Sequence, residues 1–318
     1  MTAISSAMVK DLREKTGAGM LDCKKALEES GGDMEKAVDF LRKKGISTAA
    51  KKAGRITSEG TVAALLDGRA ERGVLLEVNC ETDFVARNPD FQAFVADSLK
   101  HILEKAPKVV RPEEGEGAFL DQPSGQVPGK TVGEVITGLI GKIGENISPR
   151  RFVRWELQGS GRLHSYIHMG GKLGVLVEVG CPAAAAEDDA VKLFAKQVSM
   201  QIAAANPLTV ERGQVPAETL DRERDIYRTQ VLNSGKPANI IEKIVEGKLA
   251  KFFKDNVLLE QEWVHDTALT VSKAMAEASK AAGCEITLRR FARFALGEGL
   301  QKHSNDLAAE VSAQLQGK

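Results

Sequence analysis

The chain has 318 residues, of which 42% are hydrophobic, so it can bury a core and should hold about two or three domains. Lysine plus arginine and aspartate plus glutamate each total 44, which gives a formal net charge of +0 and no overall field to attract nucleic acid or an anionic membrane. The sequence shows no basic, apolar leader and no run of about 18 apolar residues. We therefore expect a soluble cytoplasmic protein that recognises its partners locally.

The first part of the chain predicts a small helical bundle. Apolar residues have helical spacing from Ala7 to Lys15 and again from Met20 to Glu29, with a glycine-rich break between the two segments. Asp33 stands where the N-cap of a third helix is expected. The basic stretch from Lys43 to Arg55 has no aromatic residues that could stack on bases. We interpret it as a solvated linker in preference to an RNA-contacting arm.

The middle of the chain predicts a mixture of strands and helices. Strands are read from β-branched and apolar runs bounded by turn residues, and helices from apolar residues three and four positions apart. An irregular, acidic connection is expected at 111–130. The predicted strands are Thr61 to Leu66, Gly73 to Cys80, Phe152 to Leu157, Leu163 to Met169 and Leu173 to Val179, and the predicted helices run from about Pro89 to Pro107, from Val132 to Ile143 and from Asp188 to Ala205.

Two of these segments are copies of each other. Six of the eight residues are identical between Gly73–Cys80 and Gly174–Cys181, and the offset between them is 101 positions. Downstream, phenylalanine, isoleucine and proline recur at an offset of 100: Phe94, Ile102 and Pro107 match Phe194, Ile202 and Pro207. We infer that a strand–helix scaffold has been duplicated.

The connection between strand and helix differs in the two copies. The first copy contains Thr82-Asp83-Phe84-Val85, whereas the second has Pro182 followed by four alanines. A residue needed for packing tends to persist in both copies, and loops at the ends of a scaffold often carry function. Phe84 is therefore a candidate for binding a partner through an exposed loop; the alternative is that its ring belongs to a small satellite core.

Two patterns suggest catalysis or metal binding, and neither fits well. Pro128–Thr131 ends like a phosphate-binding loop, but Ser124 replaces the first glycine and the proline removes an amide N–H. His164 and His168 alternate with apolar residues as on a strand, which places the two rings too far apart for one metal ion. The four cysteines form no close pair. We predict no catalytic residues, no metal, no cofactor and no enzymatic activity.

The last third of the chain predicts a helical hairpin followed by mixed elements. Ala217 to Leu232 and Ala238 to Asn256 carry apolar residues at heptad-like spacing, which is typical of a narrow two-helix seam. Such an arm is suited to contact a second chain, with a purely structural role as the alternative. A helix is expected from Leu269 to Ala282 and a strand from Ile286 to Leu296. Three arginines of this strand are interleaved with phenylalanine, and the alternation of polar and apolar residues on a strand explains them without RNA binding. Ser304 is expected to cap a last helix.

Several motifs together resemble the bacterial translation elongation factor Ts family over nearly the whole chain. The two longest are Lys15–Met20 with Asp22–Leu27, and Glu77–Ala86. Shorter similarities are Ser165–His168, Gly174–Val177, Ser234–Pro237, Val245–Lys248 and Phe294–Gly299.

The resemblance implies an α+β fold. It has an N-terminal three-helix ubiquitin-associated-like bundle, a duplicated antiparallel-sheet and helix core, a protruding coiled-coil hairpin and a C-terminal helical module. The corresponding divisions are 1–55 for the bundle and linker, 56–145 for the first repeat, 146–300 for the second repeat interrupted by the hairpin 216–256, and 301–318 for the last helix.

The resemblance also implies a function. Proteins of this family are guanine-nucleotide exchange factors that bind elongation factor Tu with GDP, disturb its magnesium and phosphate site, and promote GDP release. Carried onto this sequence, the intruding residues are Thr82, Asp83, Phe84 and Val85, and the docking contacts are Met20 in the bundle and His168 in the second repeat. A homodimer or a 2:2 complex stays open. The rival interpretations are a scaffold that binds another protein and an enzyme that uses Gly129–Thr131.

Overall fold

The computed structural model describes residues 4–233 and 237–301, which form an α+β protein. The helices are α1 (Ser6–Thr16), α2 (Met20–Glu29), α3 (Met34–Lys52), α4 (Asp83–Ala86), α5 (Pro89–Lys105), α6 (Val132–Ile143), α7 (Asp189–Ala205), α8 (Ala217–Asn233), α9 (Ala238–Asn256) and α10 (Val271–Ala282). The strands are β1 (Glu59–Leu66), β2 (Arg72–Cys80), β3 (Ile147–Glu156), β4 (Gly161–His168), β5 (Leu173–Gly180), β6 (Glu262–Trp263), β7 (Asp266–Thr270) and β8 (Thr287–Ala295).

The strands form three small sheets. Their strand orders are β1-β2-β3, β4-β5-β8 and β6-β7. The pairs β4-β5, β5-β8 and β6-β7 are antiparallel. Among the described residues, every helix is too short or too polar to cross a membrane.

The described residues divide into two compact units. Unit 1 contains residues 4–61, 77–151 and 296–301, and unit 2 contains residues 62–76, 152–233 and 237–295. The four-part division implied by the resemblance stays a prediction. The predicted last helix with its Ser304 cap, and the turn residues 234–236, lie outside the described residues.

Helices α1, α2 and α3 form the predicted three-helix bundle. The Ser5 side chain accepts a hydrogen bond from the Met8 N–H at 3.3 Å, and the Asp33 side chain accepts one from the Lys36 N–H at 3.1 Å, so both N-termini are capped. Leu12 and Leu27 are fully buried at the centre of a small apolar cluster. Burial of a leucine contributes about 1.5–3 kcal/mol, so this module has only a few such contributions to stabilise it.

The prediction of a linker at Lys43–Arg55 was wrong for most of the segment. Helix α3 continues to Lys52, and only the last three residues of the segment follow it. Lysine and alanine are strong helix formers, and Gly45, the only glycine within α3, does not end the helix. Basic composition indicated solvent exposure, but it did not indicate a helix end.

The duplication extends to the geometry of helix ends. Helices α5 and α7 begin at positions 89 and 189, an offset of 100, and the side chains of Asn88 and Asp188 cap them. Each helix ends at a residue in the left-handed conformation, Ala106 with φ 49° and Asn206 with φ 46°. Residues other than glycine rarely adopt such angles. The shared exception supports descent of both segments from one unit.

The second half of each repeat is also duplicated, although the two segments share no long run of identical residues. Helices α6 and α10 each have 12 residues, begin at positions 132 and 271, an offset of 139, and follow the N-caps Thr131 and Thr270. Each ends at a left-handed glycine, Gly144 with φ 85° and Gly283 with φ 63°. The offset grows from 100 to 139 because the hairpin α8–α9 lies within the second copy.

Each copy buries one glutamate against two consecutive arginines. Glu77 is fully buried in β2, where its carboxylate accepts from Arg150 at 3.0 Å and from Arg151 at 2.6 Å. In unit 2, Glu178 is equally buried and pairs with two arginines of β8, Arg289 at 3.0 Å and Arg290 at 2.8 Å. A buried carboxylate needs such partners because desolvation of an unpaired charge is costly.

The arginines of β8 thus have a structural explanation. Two of the three pair with Glu178, and Arg293 donates to the Ala203 carbonyl oxygen at 3.4 Å. The strand predicted at Ile286–Leu296 is confirmed as β8. Its three arginines form polar contacts within the protein. The hairpin β6–β7 was not predicted. The expected helix start at Leu269 was wrong because that residue lies within β7, and the helix α10 begins at Val271.

Helices α8 and α9 pack against each other as the sequence predicts. Val231, Ile241, Val245 and Leu249 form their buried apolar seam. On the exposed side Arg228 of α8 pairs with Glu242 of α9 at 3.0 Å, and this exposed ion pair is expected to contribute little stability. The identification of this hairpin with the family's coiled-coil arm stays a prediction.

Candidate partner-binding site

The Thr82–Phe84 segment lies directly after β2 and forms the N-terminal cap and first residues of α4. Thr82 has an extended backbone, with φ −128° and ψ 156°, and its hydroxyl accepts a hydrogen bond from the Val85 N–H at 3.4 Å. Residues 83–86 then make one helical turn, so the segment expected to be an exposed loop is in part helical. We call Thr82 with this turn the Phe84 tip.

Phe84 is directed into solvent. Its side chain is 80% exposed, the largest exposure of any described phenylalanine. Aromatic residues are usually at least partly buried, so a ring presented in this way is a candidate for contact with a partner. The alternative of a satellite core is excluded, because the ring does not pack in its own unit.

The next two residues anchor the tip. Val85 is 8% exposed and Ala86 is also buried, so their side chains pack inside unit 1. The direct contact with a partner that the resemblance implies for Val85 stays a prediction, and its observed environment suits anchoring. Asp83 is half-buried and forms an ion pair with Arg87 at 3.0 Å. Because the Arg87 side chain is exposed, this ion pair is expected to contribute little stability.

A second segment holds the base of the tip. Glu145, just after α6, accepts two hydrogen bonds from Thr82: one from the backbone N–H at 3.0 Å and one from the hydroxyl at 2.8 Å. The neighbouring Asn146 donates its backbone N–H to Glu81 at 2.7 Å, and Glu81 also pairs with Arg55 at 3.2 Å. Local sequence patterns do not identify these residues, because 63 positions separate Thr82 from Glu145.

The predicted docking residue Met20 begins α2 in the same unit. It is 45% exposed, and the adjacent Leu21 is 83% exposed. Cys23, Ala26 and Leu27 form the buried face of this helix. Leu21 lies off that apolar spacing, so the sequence itself indicates that its side chain faces away from the core of the bundle.

His168 lies in unit 2, whereas the Phe84 tip and Met20 lie in unit 1. It is exposed at the end of β4, and its Nδ1 is 2.8 Å from the Tyr166 hydroxyl. Met169, which follows it, is exposed and has a φ of 49°. The sheet thus ends in exposed aromatic and apolar side chains, which suit contact with a protein.

The other histidine of this strand has a different environment. His164 is partly buried, and burial lowers its pKa to about 4, with the positive charges of Arg162 and Lys196 acting in the same direction. Its ring is therefore neutral at pH 7. Across residues 4–233 and 237–301, no group of three histidine, cysteine or acidic side chains is placed to hold a metal ion.

The segment resembling a phosphate-binding loop starts helix α6. Thr131 and Glu134 form a reciprocal capping box, in which Glu134 accepts from the Thr131 N–H at 3.0 Å and Thr131 accepts from the Glu134 N–H at 3.2 Å. These bonds occupy backbone donors at the start of the helix that a phosphate would need.

Comparison with known proteins identifies the family of this chain. The family described as "Elongation factor TS" matches residues 81–298. The chain is 50% identical over 312 residues to an elongation factor Ts of Trichlorobacter lovleyi, covering 98% of both chains. It is 47% identical over 315 residues to an elongation factor Ts of Clostridium kluyveri, covering 99% of this chain and 100% of the relative. With an identity this high over nearly the full length, the chain belongs to the elongation factor Ts family.

Proposed function

We propose that this chain is a guanine-nucleotide exchange factor that binds elongation factor Tu with GDP and promotes GDP release by pressing the Phe84 tip into the partner's magnesium and phosphate region. Membership of an elongation factor family supports a role in translation elongation. The observation that carries the mechanism is the ring of Phe84, 80% exposed on a turn whose base is held by hydrogen bonds.

The mechanism is differential binding and makes or breaks no covalent bond. An exchange factor binds the nucleotide-free partner better than the loaded one, and by reciprocity the nucleotide weakens binding of the factor by the same ratio. Weakening the nucleotide ten-thousand-fold requires about 5.5 kcal/mol of differential binding. Burial of one phenylalanine contributes about 1.5–3 kcal/mol. The tip therefore needs further contacts that act in the same complex.

Two other exposed surfaces are suited to supply these contacts. Met20 and Leu21 present apolar side chains at the start of α2, and we assign docking on the partner's GTPase domain to the bundle that carries them. His168 provides the second contact. The bundle is assigned as ubiquitin-associated-like and the α8–α9 hairpin as the family's coiled-coil arm. On this proposal the protein acts in the cytoplasm, without a cofactor and without direct contact to nucleic acid or membrane.

The test is release of a fluorescent GDP analogue from purified elongation factor Tu, measured over a range of concentrations of the full chain. The expected result is a release rate that rises with chain concentration to a plateau at least a hundredfold above the spontaneous rate. Binding without acceleration would refute exchange activity and favour a scaffold. Binding of the GDP analogue by the chain alone would favour the enzyme alternative at Gly129–Thr131.

A further inference from the structure

The base of the Phe84 tip is held by one carboxylate. The Glu145 side chain receives both the N–H and the hydroxyl of Thr82, at 3.0 and 2.8 Å. The same hydroxyl accepts the Val85 N–H and so caps the turn that carries Phe84. Hydrogen bonds to a charged acceptor are stronger than neutral ones. Glu145 thus fixes the residue from which the tip begins.

The segment carrying Glu145 is also bonded to the end of the docking bundle. The Lys52 ammonium group donates to the Gly144 carbonyl oxygen. The Asn146 side-chain amide donates to the carbonyl oxygens of Ala53 at 3.4 Å and Arg55 at 3.2 Å. Residues 144–146 therefore contact both the last turn of α3 and the base of the tip.

The duplicated scaffold provides an internal control for this arrangement. The turn after α10 matches the turn after α6, with Gly283 in the position of Gly144. There Cys284 occupies the position of Glu145, and Pro182 and Ala183 occupy the positions of Glu81 and Thr82. The second copy folds with neither the exposed phenylalanine nor the carboxylate. Both features occur together in the first copy only. The packing that the two copies share therefore does not require either of them.

We propose that Glu145 is a positioning residue for nucleotide exchange: its carboxylate holds Thr82 and thereby presents Phe84 at a fixed place relative to the docking bundle. This inference rests on the proposed function. It assigns Glu145 a role that acts through Thr82. Without the carboxylate, the tip samples other conformations, and only the fraction with Phe84 correctly presented is productive after docking.

The consequence is a specific change in kinetics. Docking through the bundle sets the chain concentration that gives half the plateau rate, whereas tip presentation sets the plateau itself. In Glu145→Ala we expect the plateau to fall about tenfold, equivalent to about 1.4 kcal/mol, with the half-saturating concentration changed by less than about twofold. Glu145→Gln keeps one acceptor oxygen, so its plateau rate should lie between those of Glu145→Ala and the unmodified chain. The matched control is Glu285→Ala, which removes an exposed carboxylate from the corresponding turn of unit 2 and should leave the plateau unchanged.

A double-mutant cycle separates positioning from general stabilisation. If Glu145 acts through the tip, Glu145→Ala has almost no further effect in a Phe84→Ala background. Hydrogen exchange of the full chain provides a readout independent of the partner: amides of residues 82–86 should exchange at least about tenfold faster in Glu145→Ala, with α5 unchanged.

Each outcome decides the proposal. The proposal is overturned if Glu145→Ala lowers the plateau rate tenfold both in the otherwise unmodified chain and in Phe84→Ala. It is also overturned if Glu145→Ala keeps the full plateau rate, or if hydrogen exchange of the amides of residues 82–86 is unchanged. If the unmodified chain fails to accelerate GDP release, the proposed function fails, and hydrogen exchange still decides whether Glu145 holds the tip. Should Glu145→Ala fold poorly, Glu145→Gln gives the same comparisons with a smaller expected effect.

Discussion

Truncation of Phe84 to alanine tests whether the tip acts on the partner or supports the fold. The ring is 80% exposed, so its removal uncovers almost no buried surface. Substitutions of exposed residues usually change stability by no more than about 0.5 kcal/mol, and alanine favours the short helical turn more than phenylalanine does. We therefore expect the free energy of unfolding of Phe84→Ala to equal that of the unmodified chain within this margin.

The effect on exchange is expected to be large. If the ring becomes buried in the partner only when the phosphate region is disturbed, the lost contribution is about 1.5–3 kcal/mol. Because each loss of about 1.4 kcal/mol of transition-state stabilisation lowers a rate tenfold, the plateau rate of GDP release should fall by about ten- to a hundredfold. The half-saturating concentration should change little, because the bundle still docks.

The assay is stopped-flow release of a fluorescent GDP analogue, with two reference variants. Phe84→Leu keeps most of the apolar volume and should retain a rate between those of alanine and phenylalanine. Leu193→Ala removes another exposed apolar side chain, on α7, and should have no effect. A Phe84→Ala chain that exchanges at the full rate, or one that unfolds, would refute the reasoning.

Three further predictions concern docking, the buried carboxylates and pH. Leu21→Ala should raise the half-saturating concentration about tenfold at an unchanged plateau, because an exposed leucine that becomes buried in a complex contributes about 1.5–3 kcal/mol; an unchanged titration would count against docking by α2. Glu178→Gln should destabilise unit 2 by about 3 kcal/mol, because two arginines lose their charge partner. Urea unfolding followed by the fluorescence of Trp155 and Trp263, both in unit 2, would contradict this if the loss were below about 1 kcal/mol. His164 has a folded pKa of about 4 and an ordinary value of 6.5, so its contribution to stability is complete above pH 6.5 and is lost as pH falls towards 4. The loss is at most about 3 kcal/mol and is reduced by the partial exposure of the ring. His164→Gln should show a shallower loss between pH 7 and pH 4.5 in the same assay, and an NMR titration midpoint near 6.5 for His164 would contradict the prediction.

Local patterns were sufficient for most of the secondary structure. Helices α2 and α6 have the predicted bounds, and the strands β2, β4 and β5 lie within one or two residues of prediction. The bounds of these elements are predictable because apolar spacing and caps such as Asp33 act within a few residues. The short strands β6 and β7 were not predicted, because two and five residues are too few to establish an alternating pattern.

The sequence by itself determined the duplication and singled out Phe84, because a residue present in one copy only is released from the packing that both copies share. Tertiary structure alone decided that the ring is exposed while Val85 is buried. It also decided that Glu145 meets Thr82 across 63 positions of sequence. Exposure and distant hydrogen bonds depend on how separate segments pack together, and that information is absent from the spacing of residues along any one segment.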